Sequence, residues 1–181
     1  YYMRRMKQPA SVAHSFVQQK IYEGHRFGLS DMAEMQKIQA AEMNDVLAVF
    51  RKMVNKNGMV AAIFGDISEE EAKQMVKKYL GKLPQKPLDH IEKIPFILEE
   101  GEYVNNYEFS EVSVDFVYPG AYHGEEDMYP LMALSMLLSG NNSRIHHALR
   151  GENSLVYAAY AYNSSGKYIS RFQIHAQTSA E

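Results

Sequence analysis

The chain has 181 residues, with 19 basic and 22 acidic side chains and a formal charge of −3, so it lacks the positive surface that nucleic acid requires. Hydrophobic residues at 46% against 23% charged supply a core and exclude a disordered chain, while the absence of cysteine excludes a disulfide scaffold, a thiol nucleophile, a zinc finger and an iron–sulfur site. The longest apolar stretch, 131–138, is interrupted by Ser135 and is far shorter than the roughly 20 residues that span a bilayer.

Pro9 suits a first helical turn, and Val12, Phe16, Val17 and Ile21 recur at helical spacing up to Gly24. Asp31 with Glu34 three places on resembles a capping box, which predicts a short second helix with Met32, Met35 and Ile38 on its inner stripe. Residues 41–53 repeat the pattern through Val46, Val49, Phe50 and Met53, and Asn55-Lys56-Asn57-Gly58 breaks it with turn chemistry. The apolar run Met59 to Phe64 has the length of a buried strand. Ser68 and Glu71 form a second capping box, and the helix they open closes with Lys77 and Lys78 before Gly81. Three prolines and several charges across residues 83–95 predict an extended connector.

Beyond it, Val112, Val114, Phe116 and Tyr118 alternate with Glu111, Ser113 and Asp115, the period of a strand whose apolar face is buried. Glu125, Glu126 and Asp127 open a helix carrying Leu131, Leu134, Leu137 and Leu138 to Gly140, with Pro130 confined to its first turn. Ser143 caps a short helix through Arg150, and residues 155–162 and 168–176 form an antiparallel hairpin across Ser164-Ser165-Gly166. The sum is an α+β fold with a mainly antiparallel sheet packed against helices. Methionines on the helical stripes read as core filler. The start Tyr1-Tyr2-Met3 and the alternating segment that runs to Glu181 lead us to expect a piece of a longer protein.

In order, the chain carries Gly24-His25-Arg26-Phe27-Gly28, the helical 41–53 segment, Phe64-Gly65-Asp66 and Tyr79-Leu80-Gly81-Lys82-Leu83-Pro84. Leu138-Ser139-Gly140-Asn141-Asn142-Ser143-Arg144-Ile145, Leu149-Arg150 and Leu155-Val156-Tyr157 follow. This series resembles the pitrilysin/insulinase-type zinc metallopeptidases, the group that includes the mitochondrial processing peptidase. The resemblance implies duplicated α+β repeats that enclose a chamber. On that basis residues 1–87 are the latter part of one repeat, 88–105 a connector and 106–181 the early part of the next, and the two parts are compatible with folding together as one domain. It also implies zinc in the parent protein, a peptide or unfolded polypeptide as substrate, and the remaining domains of the same protein or a second subunit, in a homo- or heterodimer, as partners.

The family holds zinc with an H-x-x-E-H motif and a further downstream glutamate. None of His14, His25, His90, His123, His146, His147 and His175 has the required neighbours, and adjacent His146 and His147 point about 100° apart on a helix, so no residue is assigned as a metal ligand. Either the motif lies outside the chain or the parent is a non-catalytic scaffold or peptide-binding partner of such a peptidase; an unrelated α+β ligand-binding module stays open beside them. No catalytic residue is assigned. The resemblance implies substrate contacts at Arg150 and Tyr157, whose spacing and flanks match an arginine–tyrosine pair that holds substrate backbone. The bland alternatives are a cation at a helix C-terminus and a packed strand aromatic. Asp66 reads as turn chemistry, the 125–127 acidic cluster as helix capping, and His25 and His123 as surface residues.

Overall fold

The computed structural model describes residues 1–151 and 154–179. In chain order the elements are helices α1 (Tyr2–Arg5), α2 (Pro9–Ile21), α3 (Asp31–Ala40), α4 (Met43–Met53) and α5 (Glu69–Leu80), strand β1 (Glu111–Tyr118), helices α6 (Met128–Leu138) and α7 (Arg144–His146), and strands β2 (Ala158–Ser165) and β3 (Ser170–Ser179). The α+β class is as expected, with one antiparallel sheet among the described residues, in the order β1-β3-β2. The chain divides into two compact units, Lys37–Ile91 and the pairing of Tyr1–Gln36 with Glu92–Glu181.

In the larger unit the core is built where α2 meets the sheet. Val17 and Ile21, one helical turn apart, bury with Tyr22 against Ile94, Phe96, Leu98, Val117 and Ile169. The period-2 spacing of Ile94, Phe96 and Leu98 shows that the extended connector contributes one face to this core. Its backbone is held there by Ile94 N–H donating to the Tyr168 carbonyl at 2.7 Å and by the Tyr122 hydroxyl donating to the Ile94 carbonyl at 2.8 Å. Lys93 pairs with Glu125, which also accepts the Tyr122 N–H at 2.9 Å, so this carboxylate fastens the connector to the turn before α6. At the end of β1, Gly120 passes so close to Arg171 that a Cβ would lie 2.5 Å from its backbone carbon; only glycine fits.

β1 departs from expectation in a way that matters for the site. Its outward residues are the apolar Val112, Val114, Phe116 and Tyr118, and its inward residues are Glu111, Ser113, Asp115 and Val117. The polar row takes the inner position with partners on β3: Asp115 accepts from Gln173 and His175 and Glu111 from Gln177, while Ser113 Oγ is buried without a partner among the described residues. The stripe methionines likewise are mostly exposed, Met32, Met43, Met53, Met132 and Met136 among them; Met128 is buried. At α3 the cap is Ser30, whose Oγ accepts the Ala33 N–H at 3.1 Å. Asp31 instead turns back to bind Arg5 Nε at 3.1 Å.

The smaller unit joins α4 to α5. Asn55 at the end of α4 is buried and clasps the backbone of Lys86 from both sides, accepting its N–H at 2.9 Å and donating to its carbonyl at 3.0 Å. Helix α5 opens on the expected Ser68–Glu71 capping box. The expected strand at 59–64 is not formed: among the described residues no strand lies beside it, and Val60 and Phe64 are 92% and 93% exposed. An extended segment without a neighbouring ladder has neither hydrogen bonds nor a packing face to make it a strand. The apolar stripe of α4, Val46, Val49, Phe50 and Met53, is exposed for the same lack of a covering layer.

Candidate functional site

Arg150 lies in a single π-helical turn, His147–Gly151, that follows α7, and Tyr157 lies at the bend where the chain enters β2. Ser143 opens this region by accepting the His146 N–H at 3.1 Å. The chain then doubles back. Ser154, at φ 52°, donates its N–H to the Arg150 carbonyl at 3.2 Å, and Leu155 N–H reaches the Leu149 carbonyl at 2.7 Å. These returns bring the two expected residues together. Arg150 Nη1 donates to the backbone carbonyl of Tyr157 at 2.7 Å. Tyr157 N–H points the other way, to the Gln177 carbonyl of β3 at 2.8 Å, so the sheet fixes the strand while the guanidinium holds the bend. Tyr157 is 61% exposed and Arg150 is exposed. A guanidinium carries five N–H donors and this bond uses one, leaving a planar fork suited to carbonyl or carboxylate oxygens; a phenol can donate to a polarised carbonyl. What the pair can do chemically is hold and orient a peptide backbone.

A second set of residues converges under α2. Asp115 of β1 accepts from Gln173 Nε2 at 2.6 Å and from His175 Nδ1 at 2.8 Å, both on β3. The Gln173 carbonyl oxygen accepts from the Tyr162 hydroxyl at 2.7 Å and from Arg171 Nε at 2.8 Å. Arg171 Nη2 continues to the Tyr162 hydroxyl at 3.2 Å and to His14 Nδ1 of α2 at 3.3 Å. Arg171, Gln173 and His175 are all buried. Burial pushes the His14 imidazole toward its neutral form, and the Arg171 charge adds to that shift. Burial also raises the Tyr160 phenol, whose ring lies 5.0 Å from that of His175. His14 Nε2 faces the Gln18 carboxamide at 3.4 Å, and Gln18 Oε1 is buried without a partner. Sequence reading overlooked this network, although Arg171, Gln173, His175 and Gln177 alternate with Phe172, Ile174 and Ala176. The period-2 row marks a polar strand face. Its continuity with α2 and β1 is visible only in three dimensions.

The donor set does not fit zinc. Among the described residues no group of three or more His, Cys, Asp or Glu side chains could hold a metal ion. The His146 and His147 rings stand 6.3 Å apart and nearly perpendicular. His25 Nδ1 accepts the Phe27 N–H at 3.2 Å, a local turn contact. Among the described residues no helix is long and apolar enough to cross a membrane.

A family profile described as the peptidase M16 inactive domain matches residues 40–181. A comparison with curated proteins finds no match. Among solved structures, the peptidase M16 inactive domain from Pseudomonas fluorescens superposes with a TM-score of 0.83 at 20% identity, over 99% of this chain and 44% of that one. A protease from Helicobacter pylori gives 0.75 at 18% identity, over 97% and 44% of the respective chains. A chain of complex III2 from Candida albicans gives 0.79 at 14% identity, over 98% and 44%. The present chain therefore spans less than half the length of these structures, and at such identities the likeness is one of fold.

Proposed function

Because this chain belongs to the peptidase M16 inactive-domain family, we propose that it is the part of a longer zinc-dependent endopeptidase that binds no zinc and contributes chamber wall and substrate contacts. In this reading residues 1–87 and 106–181 derive from two successive repeats joined by 88–105, and the zinc ligands belong to the parent outside this chain. Arg150 holds a carbonyl of an extended peptide with the donors its bond to Tyr157 leaves, and the exposed Tyr157 hydroxyl donates to a neighbouring carbonyl. The Tyr157–Gln177 bond ties the strand's backbone to the sheet, and the Arg150–Tyr157 bond ties the guanidinium to that backbone, which favours a pair ordered before substrate arrives. The outward row Val112, Val114, Phe116 and Tyr118 gives the remaining domains, or a second subunit, an apolar surface to cover.

The observation that carries the reading is the 2.7 Å bond from Arg150 to the Tyr157 carbonyl with the tyrosine ring left exposed. The test is Arg150→Ala and Tyr157→Phe in the complete protein. Removing one aligned donor from a developing oxyanion lowers kcat by about 10²–10³-fold, and loss of backbone binding raises KM. Unchanged kcat and KM in both variants would assign the pair to packing. The same bond supports a second reading: a guanidinium occupied by its own chain suits a non-catalytic scaffold or peptide-binding subunit. There the complete protein binds unfolded polypeptide and hydrolyses none.

A further inference from the structure

Among the described residues β2 is an edge strand, bonded to β3 on one side only. Its other side is not bare at its middle. Ser139, the residue after α6, sends its hydroxyl to the Ala161 carbonyl at 2.7 Å and accepts the Ala161 N–H at 2.8 Å. Within a strand the N–H and C=O of one residue point the same way, so both groups of Ala161 face away from β3 and both are taken by one side chain. A hydroxyl that donates and accepts at once reproduces what a neighbouring strand would offer that residue. Ala161 itself is buried, so the contact is sheltered from water. Arg150 does the same for the Tyr157 carbonyl at the strand's entrance. β1, the opposite edge, has no such guard: among the described residues its backbone groups bond only to β3.

We propose that Ser139 is an edge lock, a side chain standing in for a neighbouring strand, which closes β2 to the addition of any further strand, whether a second copy of this chain or an extended peptide. An unpaired edge invites pairing through its row of free donors and acceptors, and occupying one residue's pair in mid-strand interrupts that row where a new ladder would have to pass. A peptide held at Arg150 therefore leaves the sheet before Ala161 instead of running along β2. The inference stands on the Ser139 geometry and does not depend on whether Arg150 binds substrate.

The experiment needs no variant to begin. By strand alternation Ala159 faces the same side as Ala161, without Ser139 against it. Amide hydrogen exchange on the chain, corrected for intrinsic rates, should show Ala161 at least about fivefold slower than Ala159, the protection expected of one net hydrogen bond. Equal rates overturn the lock. In Ser139→Ala the Ala161 amide should exchange at the Ala159 rate while Ile174, in the middle of β3, keeps its protection, and sedimentation should show concentration-dependent association beyond that of the parent chain. Ser139→Thr, which keeps the hydroxyl, should restore both readings. A Ser139→Ala chain with a fast Ala161 amide but the parent's association behaviour overturns the blocking role. Should Ser139→Ala lose the Ile174 protection, the parent-chain comparison decides the lock and the association of Ser139→Thr against Ser139→Cys, a weaker donor, decides the blocking role.

Discussion

Asp115 and Val114 are neighbours in sequence with opposite fates in the fold, and exchanging their chemistry one at a time tests the polar inner face. The Asp115 side chain is 8% exposed and accepts from Gln173 and His175, whose own side chain is 6% exposed. Asp115→Ala deletes one acceptor and leaves two buried donors without partners, each costing about 1–3 kcal/mol, so the variant should lose about 3 kcal/mol. With a slope typical of a small domain, the urea midpoint of the larger unit should fall by about 1–2 M. Val114 lies on the outward row, and Val114→Ser should cost within about 0.5 kcal/mol. Fluorescence-monitored urea unfolding of both variants provides the comparison, with amide exchange at Ile174 as the probe of the sheet. A larger loss for Val114→Ser than for Asp115→Ala would refute the orientation of β1 and with it the buried network.

Three other outcomes follow from local geometry. His14 is held toward its neutral form by burial and by Arg171, so the unfolded chain binds the extra proton: stability is complete above the ordinary imidazole pKa of about 6.5 and declines as pH falls from there through the lowered folded value, at no more than about 1.4 kcal/mol per pH unit; urea midpoints between pH 7.5 and 5 should show the decline, and His14→Gln should flatten it. Gly120→Ala would place a Cβ 2.5 Å from the Arg171 backbone, and thermal melts should register a loss of about 2 kcal/mol or more, with an unchanged melt contradicting the close approach. Ser68→Ala removes the hydroxyl that accepts the Glu71 N–H at 3.3 Å and should cost α5 about 1 kcal/mol, read by amide exchange in its first turn; unchanged exchange there would remove the cap.

Helices were legible in the sequence wherever periodicity and caps agreed, as in α2 and α5, because those signals are local. The hairpin β2–β3 was legible from its two alternating runs, but Ser164 and Ser165, expected in the turn, extend β2 and pair with Arg171 and Ser170, so the turn falls at 166–169. β1 was legible as a strand and misread as to face. Alternation reveals two faces, but which one turns inward depends on the partners offered by β3, 60 residues later in the pairing of Asp115 with His175. The 59–64 run was misread because hydrophobicity records a capacity to pair and says nothing of whether a neighbouring ladder exists. Asp31 has the residue type and spacing of a cap, yet Ser30 performs that role, because the pairing of Asp31 with Arg5 is tertiary. At the site, the spacing of Arg150 and Tyr157 was readable, and the structure adds that the guanidinium binds its own chain. Ser139 had no signal at all, because a lone serine after a helix is ordinary until its hydroxyl is seen on both backbone groups of Ala161.

This domain belongs to the peptidase M16 inactive-domain family, and in the proposed function the reactive zinc is held by the parent outside this chain. Measuring the zinc content of residues 1–181 after loading and dialysis, together with hydrolysis of an unstructured peptide, tests it most directly. Far less than one zinc per chain and no turnover are expected; one tightly held zinc per chain with peptide cleavage would contradict that placement.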